Sequence, residues 1–210
     1  AEDLPMALHD MIKDTIAAHK RIIFNGNGYS DEWVAEAERR GLPNIKCMVD
    51  AVPALVKPEA VEIFEKHGVY TKAEMESRAE VMYETYSKTI NIEALTMIDM
   101  AKKQIVPATI KYQTSLAESV NAIKVASSTV DTSVQEALMA DISTNLKDMY
   151  AALAHLEEVA GKAEAMEEGA EQGHYYHDVV FAAMDELRKP ADKLEMLVAK
   201  SAWPFPSYGD

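Results

Sequence analysis

Apolar residues recur every three or four positions near the start of the chain, at Leu8, Met11, Ile12 and Ile16. This spacing places their side chains on one face of a helix. We therefore expect a helix that runs to about Arg21.

The next part of the chain predicts further short helices. Ser30 suits the N-cap of a second helix, which would run to about Arg40 and end at Gly41. A later short helix is bounded by Pro58 and Gly68. Between these two helices, prolines predict a loop with one or two helical turns.

A long helix is predicted to begin after Thr71. The Thr71 hydroxyl and the Glu74 carboxylate are spaced as a capping box. Pro107 should kink this helix without ending it, because the apolar pattern resumes beyond it. The apolar positions are Met75, Ala79, Met82, Tyr86, Ile90, Leu95, Ile98, Ile105, Tyr112, Leu116, Val120 and Ile123.

Two more helices are predicted after a break at residues 127–133. Ser133 and Glu136 are spaced as a second capping box. The last helix is predicted to start near His174 and to be kinked at Pro190, after an acidic, glycine-bearing segment that indicates a frayed helix end and a loop. The apolar stripes are Leu138, Ile142, Leu146, Met149, Leu153, Leu156 and Val159, then Val179, Val180, Met184, Leu187, Leu194, Leu197 and Val198.

These patterns predict an all-α fold. Short helices and loops occupy residues 1–70, and an antiparallel bundle of long, Pro-kinked helices occupies residues 71–210. The end of the bundle region, "WPFPSYGD", is predicted to be extended because prolines exclude a helix there. Its three aromatic side chains are costly to leave in water. We expect the tail to pack on this chain's own bundle or on a neighbouring subunit.

The charge balance is strongly acidic, with 21 Lys and Arg against 35 Asp and Glu and a net charge of −14. Such a field repels phosphate backbones, so we expect no nucleic-acid partner. The apolar runs are too short to cross a membrane, and no signal peptide is evident at Ala1. The single cysteine, Cys47, fits the reducing cytoplasm and is expected to be a half-buried apolar side chain.

The segment "NGNG", residues 25–28, resembles a phosphate-binding loop in composition. It lacks the third glycine and the lysine of known phosphate loops, and the preceding segment is predicted to be helical. We therefore favour a tight turn made of residues that tolerate positive φ.

Glu171, His174 and His177 are spaced so that one helical face could present three metal ligands. Only one Glu-x-x-His is present, however, and it includes Gly173 at the expected helix start. We favour solvated histidines over a metal site.

Four methionines of the long helix, Met75, Met82, Met97 and Met100, suit either core packing or a groove for a partner helix. Core packing is the favoured interpretation. The acidic run between Glu157 and Glu171 is expected to be a solvated face. We predict no catalytic, cofactor-binding or metal-binding residue in this chain.

The strings "HKRIIFNGNGYSDEWVAEAERRGLPN", "KHGVYT", "KTINIEALTMIDMAKKQIVPA" and "WPFPSYGD" resemble the C-terminal region of the long, type III bacterial glutamine synthetases. The resemblance covers essentially the whole chain in order. It implies that residues 1–70 end the catalytic domain and that residues 71–210 form the helical extension of the long synthetases.

The resemblance also implies what the parent enzyme does. It would make glutamine from glutamate, ammonia and ATP through γ-glutamyl phosphate, with Mg²⁺ or Mn²⁺, as a dodecamer of two stacked hexameric rings. Its metal-binding glutamates and ATP-binding arginines would lie upstream of this chain. Tyr29 lies near the position of a regulatory tyrosine in short relatives, but its flanking residues differ, so that role is not carried over.

Three hypotheses follow. The first is a structural and oligomerisation region, inactive by itself, whose partners are the rest of its subunit and neighbouring subunits. The second is a free-standing helical protein-interaction module. The third is a metal-binding bundle through Glu171, His174 and His177.

Overall fold

Helices form all the regular secondary structure of residues 3–206, the part of the chain that the computed structural model describes. The predicted all-α fold is confirmed. Backbone contacts divide the chain into two units, residues 1–46 and residues 47–210. The boundary predicted after residue 70 separates the end of a catalytic domain from a helical extension. This division was not based on backbone contacts, and it stays a prediction.

The first unit contains helix α1 (Leu4–His19), a 3₁₀ turn (Lys20–Ile22) and helix α2 (Asp31–Arg39). Gly41 ends α2 as predicted, with a φ of 72°. The N–H groups of Gly41 and Leu42 donate to the carbonyls of Glu38 and Ala37, which closes the last turn.

Ser30 occupies the N-cap of α2, but its hydroxyl does not cap the helix. The hydroxyl donates to the carbonyl of Asn27 at 3.1 Å instead of accepting a helix N–H. The predicted position is therefore right and the predicted hydrogen bond is wrong.

The second unit begins with two short helices, α3 (Met48–Leu55) and α4 (Pro58–Lys66). One or two helical turns were expected in the segment between Gly41 and Pro58. They correspond to α3, which includes Pro53. Gly68, with a φ of 62°, ends the turn after α4 as predicted.

Helix α5 (Lys72–Met100) starts at the predicted capping box, in which both the Thr71 and Glu74 hydrogen bonds are present. A π-helical segment (Ala101–Ile105) joins it directly to α6 (Val106–Ala126). Pro107 lacks an N–H, and its ring would collide with the carbonyl four residues earlier in a regular helix. The wider π turn just before Pro107 lets the chain continue as a helix.

Helix α7 (Ser133–Glu164) begins where expected, but the second capping box is wrong. Asp131 accepts hydrogen bonds from both the N–H and the hydroxyl of Ser133. The Thr132 hydroxyl donates to Glu136 at 2.8 Å. Thr132 is thus the N-cap residue, and Ser133 is the first residue of the helix.

The last helical stretch consists of α8 (Ala170–Tyr175), a π-helical segment (Tyr176–Val180) and α9 (Phe181–Leu197). It starts at Ala170, so the predicted start near His174 is four residues too late. Pro190 is buried inside α9, which continues through it.

The core of the second unit lies between α5, α7 and α9, and α7 packs most extensively on α9. Short connections join the successive long helices, which fits the antiparallel arrangement. The fully buried large side chains of this core are Ile142, Met149, Leu153, Leu156, Tyr176, Val180, Leu187 and Leu194.

Gly161 lies inside α7, and a β-carbon added there would meet no atom within 4 Å. We expect Gly161→Ala to raise the free energy of unfolding by about 0.5–1 kcal/mol, since alanine loses less backbone entropy in a helix. Urea denaturation measures this change. Gly173→Ala is the contrast, because its β-carbon would lie 3.2 Å from Tyr83 and 3.3 Å from Val49. Equal stabilisation by both variants would contradict the packing described for Gly173.

Candidate functional site

The loop at residues 25–30 is a corner in which two backbone amides bind within the loop. The N–H groups of Tyr29 and Ser30 donate to the side chain and the carbonyl of Asn27, at 3.0 and 3.3 Å. Neither amide is therefore available to cradle a phosphate. The favoured turn is present, and the Tyr29 side chain is fully exposed.

The reason for glycine in this loop differs from the prediction. Neither Gly26 nor Gly28 is among the described residues with positive φ. A β-carbon on Gly26 would lie 2.5 Å from the ring of Phe24, which in turn packs on Trp33 with ring centroids 4.3 Å apart. Gly26 thus allows a close approach of the Phe24 ring, and its φ is not unusual.

Glu36 holds the end of α2 through two arginines. Its carboxylate accepts hydrogen bonds from Arg39 at 2.6 and 2.7 Å and from Arg40 at 2.6 Å. Arg40 also donates to the carbonyl of Arg21 at 2.8 Å. The hydrogen bonds from Arg39 and Arg40 lower the pKa of Glu36 from 4.5 to about 2.

We expect NMR titration to place the pKa of Glu36 near 2. Because the pKa is lowered on folding, the stabilising contribution is complete above the ordinary pKa of 4.5 and is lost as the pH falls toward 2. Arg39→Ala should raise this pKa. Lys13→Ala removes a positive charge elsewhere and should leave it unchanged, so an equal effect of both variants would contradict the assignment.

Glu171, His174 and His177 do not form the hypothesised metal site. The Nδ1 atom of His177 lies 2.7 Å from Asp178, and that of His174 lies 3.8 Å from Asp50. Within residues 3–206, no group of three His, Cys, Asp or Glu side chains could hold a metal ion.

Cys47 is half-buried at the start of α3, as predicted. Its thiol donates to the Asp50 carboxylate at 2.9 Å. This hydrogen bond, followed by burial, raises the pKa of Cys47. A raised pKa keeps the thiol protonated, which is the opposite of what a nucleophilic cysteine needs.

The four methionines of α5 do not form one exposed groove. Met75 is fully buried, Met82 is 40% exposed, and Met97 and Met100 are half-buried. This distribution fits the favoured interpretation, in which they fill space in the core.

The aromatic tail packs on this chain's own bundle. Trp203 and Phe205 contact the main core and lie edge to face, with ring centroids 6.3 Å apart. They line a largely apolar cleft of about 440 Å³ together with Met97, Met100 and Leu187. The structure therefore favours the first of the two expected positions for the tail. Tyr208, the third aromatic residue, lies outside the described residues.

We expect Trp203→Ala to lower the free energy of unfolding of the isolated chain by about 2–3 kcal/mol. This is somewhat below the usual cost of emptying a fully buried aromatic site, because Trp203 is only half-buried. Denaturation and sedimentation are measured together. Unchanged stability with weakened self-association would contradict packing on the chain's own bundle.

The acidic run is mainly a solvated helix face, as expected. Glu157 pairs with Lys102 in the π-helical segment between α5 and α6, and Glu158 pairs with Lys162 at 2.6 Å. Val159, Ala160 and Ala163 are buried, and they form the core side of the same segment.

No helix of the described chain combines the length and apolar character that a membrane span requires. Residues 3–206 thus contain helices, caps and packed aromatic residues, and they do not bring Glu171, His174 and His177 together as a metal-binding group.

Comparison with known proteins supplies the family. The chain is 38% identical over 209 residues to a glutamine synthetase of Butyrivibrio fibrisolvens, with 100% of the chain and 30% of that protein aligned. It is 29% identical over 208 residues to the type-3 glutamine synthetase of Dictyostelium discoideum, with 97% and 28% aligned. A glutamine synthetase of Bacteroides fragilis is 29% identical over 206 residues, with 96% and 28% aligned.

The chain therefore spans about 30% of the length of these relatives. The family model of the glutamine synthetase C-terminal domain matches residues 7–124, which is more than half of the chain and includes parts of both units. The resemblance noted in the sequence is confirmed, and the chain belongs to the glutamine synthetase C-terminal domain family.

Proposed function

We propose that this chain is the C-terminal structural and oligomerisation region of a type III glutamine synthetase. The single observation that carries the proposal is alignment of the whole chain with less than a third of a glutamine synthetase. A relative named as type-3 supports the subclass. The whole subunit would then be a cytoplasmic, ATP-dependent glutamate–ammonia ligase that works through γ-glutamyl phosphate.

We propose that the cofactors of the parent enzyme, ATP with Mg²⁺ or Mn²⁺, bind outside this chain. In the loop of residues 25–30, the N–H groups of Tyr29 and Ser30 both donate to Asn27. The carboxylates and histidines of residues 3–206 form no group suited to a metal ion. We assign nucleotide and metal binding to the part of the subunit that the relatives have and this chain does not span.

Helix α1 supports a role in a larger subunit. None of its residues is buried, and the side chains of its predicted apolar face, Leu8, Met11, Ile12 and Ile16, are each 46–57% exposed. A continuous apolar face of this kind is costly in water and is typical of a surface that packs against more protein. We propose that it packs against the rest of the glutamine synthetase subunit.

Assembly with neighbouring subunits, as a dodecamer, is the second part of the proposal. The net charge of −14 opposes close approach of copies unless apolar surface is buried between them. The second unit exposes several large apolar side chains for this purpose, including Ile92, Val134, Tyr150 and Met196.

A chimaera tests the proposal. The matched segment of the Butyrivibrio fibrisolvens enzyme is replaced by this chain, and γ-glutamyl transfer and sedimentation are measured. We expect an active, assembled enzyme. A chimaera with the matched Bacteroides fragilis segment is the control for grafting. Activity of that control together with inactivity of the chimaera carrying this chain would refute the proposed function.

The isolated chain is the second assay. We expect no γ-glutamyl transfer from it with Mn²⁺ and ADP, since no group of side chains in residues 3–206 could hold the Mn²⁺ ion. Clear turnover by the purified chain would refute the assignment of the chemistry to another part of the subunit.

A further inference from the structure

Helix α6 packs on the rest of the described chain along one side only. Beyond the π-helical segment that precedes it, α6 makes an extensive contact only with α7. Thr109 and Val120, the buried residues of α6, lie on nearly the same line along the helix. Next to that line, Gln113 donates to the carbonyl of Met139 in α7 at 3.3 Å, which identifies the side that faces α7.

The opposite side of α6 is exposed along the whole helix. Its positions lie about half a helical turn away from Thr109 and Val120, so α7 does not cover them. We call this surface the outer face of α6. It consists of Pro107, Lys111, Thr114, Ser115, Glu118, Ala122 and Val125, all of which are exposed.

The outer face carries unusually little charge for a surface in contact with water. Three of the 21 residues of α6 are charged, whereas seven of the 17 residues of α9 are charged. The polar side of a helix that faces only water normally carries charged residues. One of the three charges, Lys124, is paired with Glu136 of α7. Lys111 and Glu118 are therefore the two charges of the outer face.

Lys111 and Glu118 lie seven residues apart, which is too far for an ion pair within one helix. The positions three and four residues from each of them are uncharged. Within residues 3–206, neither side chain forms an ion pair. The outer face thus presents one positive and one negative charge at a fixed spacing, and both are available to a second molecule.

This spacing is complementary to itself. When two copies of α6 pack antiparallel about a two-fold axis between Thr114 and Ser115, each position faces the one equally far beyond the axis. Lys111 then lies opposite Glu118 of the second copy, and the same ion pair forms again on the other side of the axis. A parallel pair in register would instead place like charges together, which is unfavourable.

We propose that the outer face of α6 binds the same face of a second copy of this chain, as an antiparallel pair with two Lys111–Glu118 contacts. The inference rests on the proposed oligomerisation role for its place in the enzyme, and it assigns a surface to that role. The short side chains near the axis, Thr114 and Ser115, let two helices approach to the usual distance of about 8–10 Å.

Sedimentation of the isolated chain over a range of concentrations tests the pairing. A contact between two single helices is smaller than a standard interface, so we expect a reversible dimer with a Kd of roughly 10–100 µM. A chain that stays monomeric up to about 1 mM would overturn self-pairing. An active, assembled chimaera together with a monomeric chain would overturn this inference alone and leave the proposed function standing.

Charge reversal tests the two residues. Lys111→Glu and Glu118→Lys each place like charges opposite one another at both contacts, so each should weaken the dimer at least about tenfold. The two changes shift the net charge in opposite directions, so a general charge effect cannot weaken both. Lys193→Glu, at an exposed position of α9, is the control for the first change and should dimerise nearly as the parent chain does. Circular dichroism should give unchanged melting temperatures for all three variants, because the positions are exposed.

A mixture of the two charge-reversal variants provides the decisive measurement. One copy then carries two acids and the other two lysines on the outer face, so both contacts again join opposite charges. We expect the equimolar mixture to recover the dimer that each variant alone has lost. A dimer that neither single change weakens would overturn the proposal, and so would a mixture that stays monomeric.

Discussion

Replacing Leu156 by alanine should lower the free energy of unfolding by about 3–5 kcal/mol. Leu156 is fully buried in α7, inside the core that this helix shares with α5 and α9. The loss combines the transfer free energy of the removed atoms with the cost of the cavity that remains. Urea denaturation followed by circular dichroism measures it. A loss of this size is a large fraction of the 5–15 kcal/mol that typically stabilises a domain.

Leu95→Ala is the matched control for this prediction. It makes the same chemical change on α5, where the side chain is 49% exposed. Because little packing is removed there, we expect a loss below about 1 kcal/mol. Similar losses for the two variants would contradict the position of the core between α5, α7 and α9.

Leu156 also illustrates why the helices could be predicted. It belongs to the apolar stripe of α7, and five members of that stripe, Ile142, Met149, Leu153, Leu156 and Val159, are buried. A long helix packed on one side must repeat its apolar positions at the helical period. Regular packing therefore leaves a strong signal in the sequence.

Helix caps are predictable only where neighbouring polar side chains do not compete for the same hydrogen-bonding groups at the helix start. Thr71 and Glu74 form the expected capping box, and the nearby Glu65 carboxylate accepts from a different N–H group, that of Lys72. At the start of α7, Asp131 binds the hydroxyl and the N–H of Ser133, and Thr132 binds the Glu136 carboxylate. Several polar side chains in succession allow several local networks, and sequence spacing does not choose among them.

The start of the last helical stretch was missed for a tertiary reason. Gly169, with a φ of 141°, and Gly173 looked like parts of a loop. Gly173 instead lies inside α8, buried against Tyr83 and Val49, where a side chain would be crowded. A glycine chosen for close helix packing cannot be distinguished from a loop glycine without the neighbouring elements.

The corner at residues 25–30 was predictable from its asparagines and glycines, which are typical of turns. The reason for glycine at position 26 was not predictable. It depends on the ring of Phe24, which lies close to Gly26 and packs on Trp33.

Ile12→Asp combined with Ile16→Asp should abolish activity and assembly of the chimaera with the Butyrivibrio fibrisolvens enzyme. Both side chains lie on the exposed apolar face of α1, at 52% and 50% exposure. If this face packs against the rest of the subunit, the variant must bury two unpaired carboxylates, which costs several kcal/mol. We expect γ-glutamyl transfer to fall at least about tenfold, with smaller particles in sedimentation.

The isolated chain separates loss of this contact from loss of folding. Because no residue of α1 is buried in the chain itself, the double variant should leave the denaturation of the isolated chain nearly unchanged. Met6→Asp with Ala17→Asp adds the same charge to the opposite face of α1 and should leave the chimaera active. An active, fully assembled chimaera that carries the two isoleucine substitutions would show that the apolar face of α1 is not a contact within the subunit. The chain would then need another surface to join the enzyme, and the exposed apolar residues of the second unit would be tested next by the same scheme.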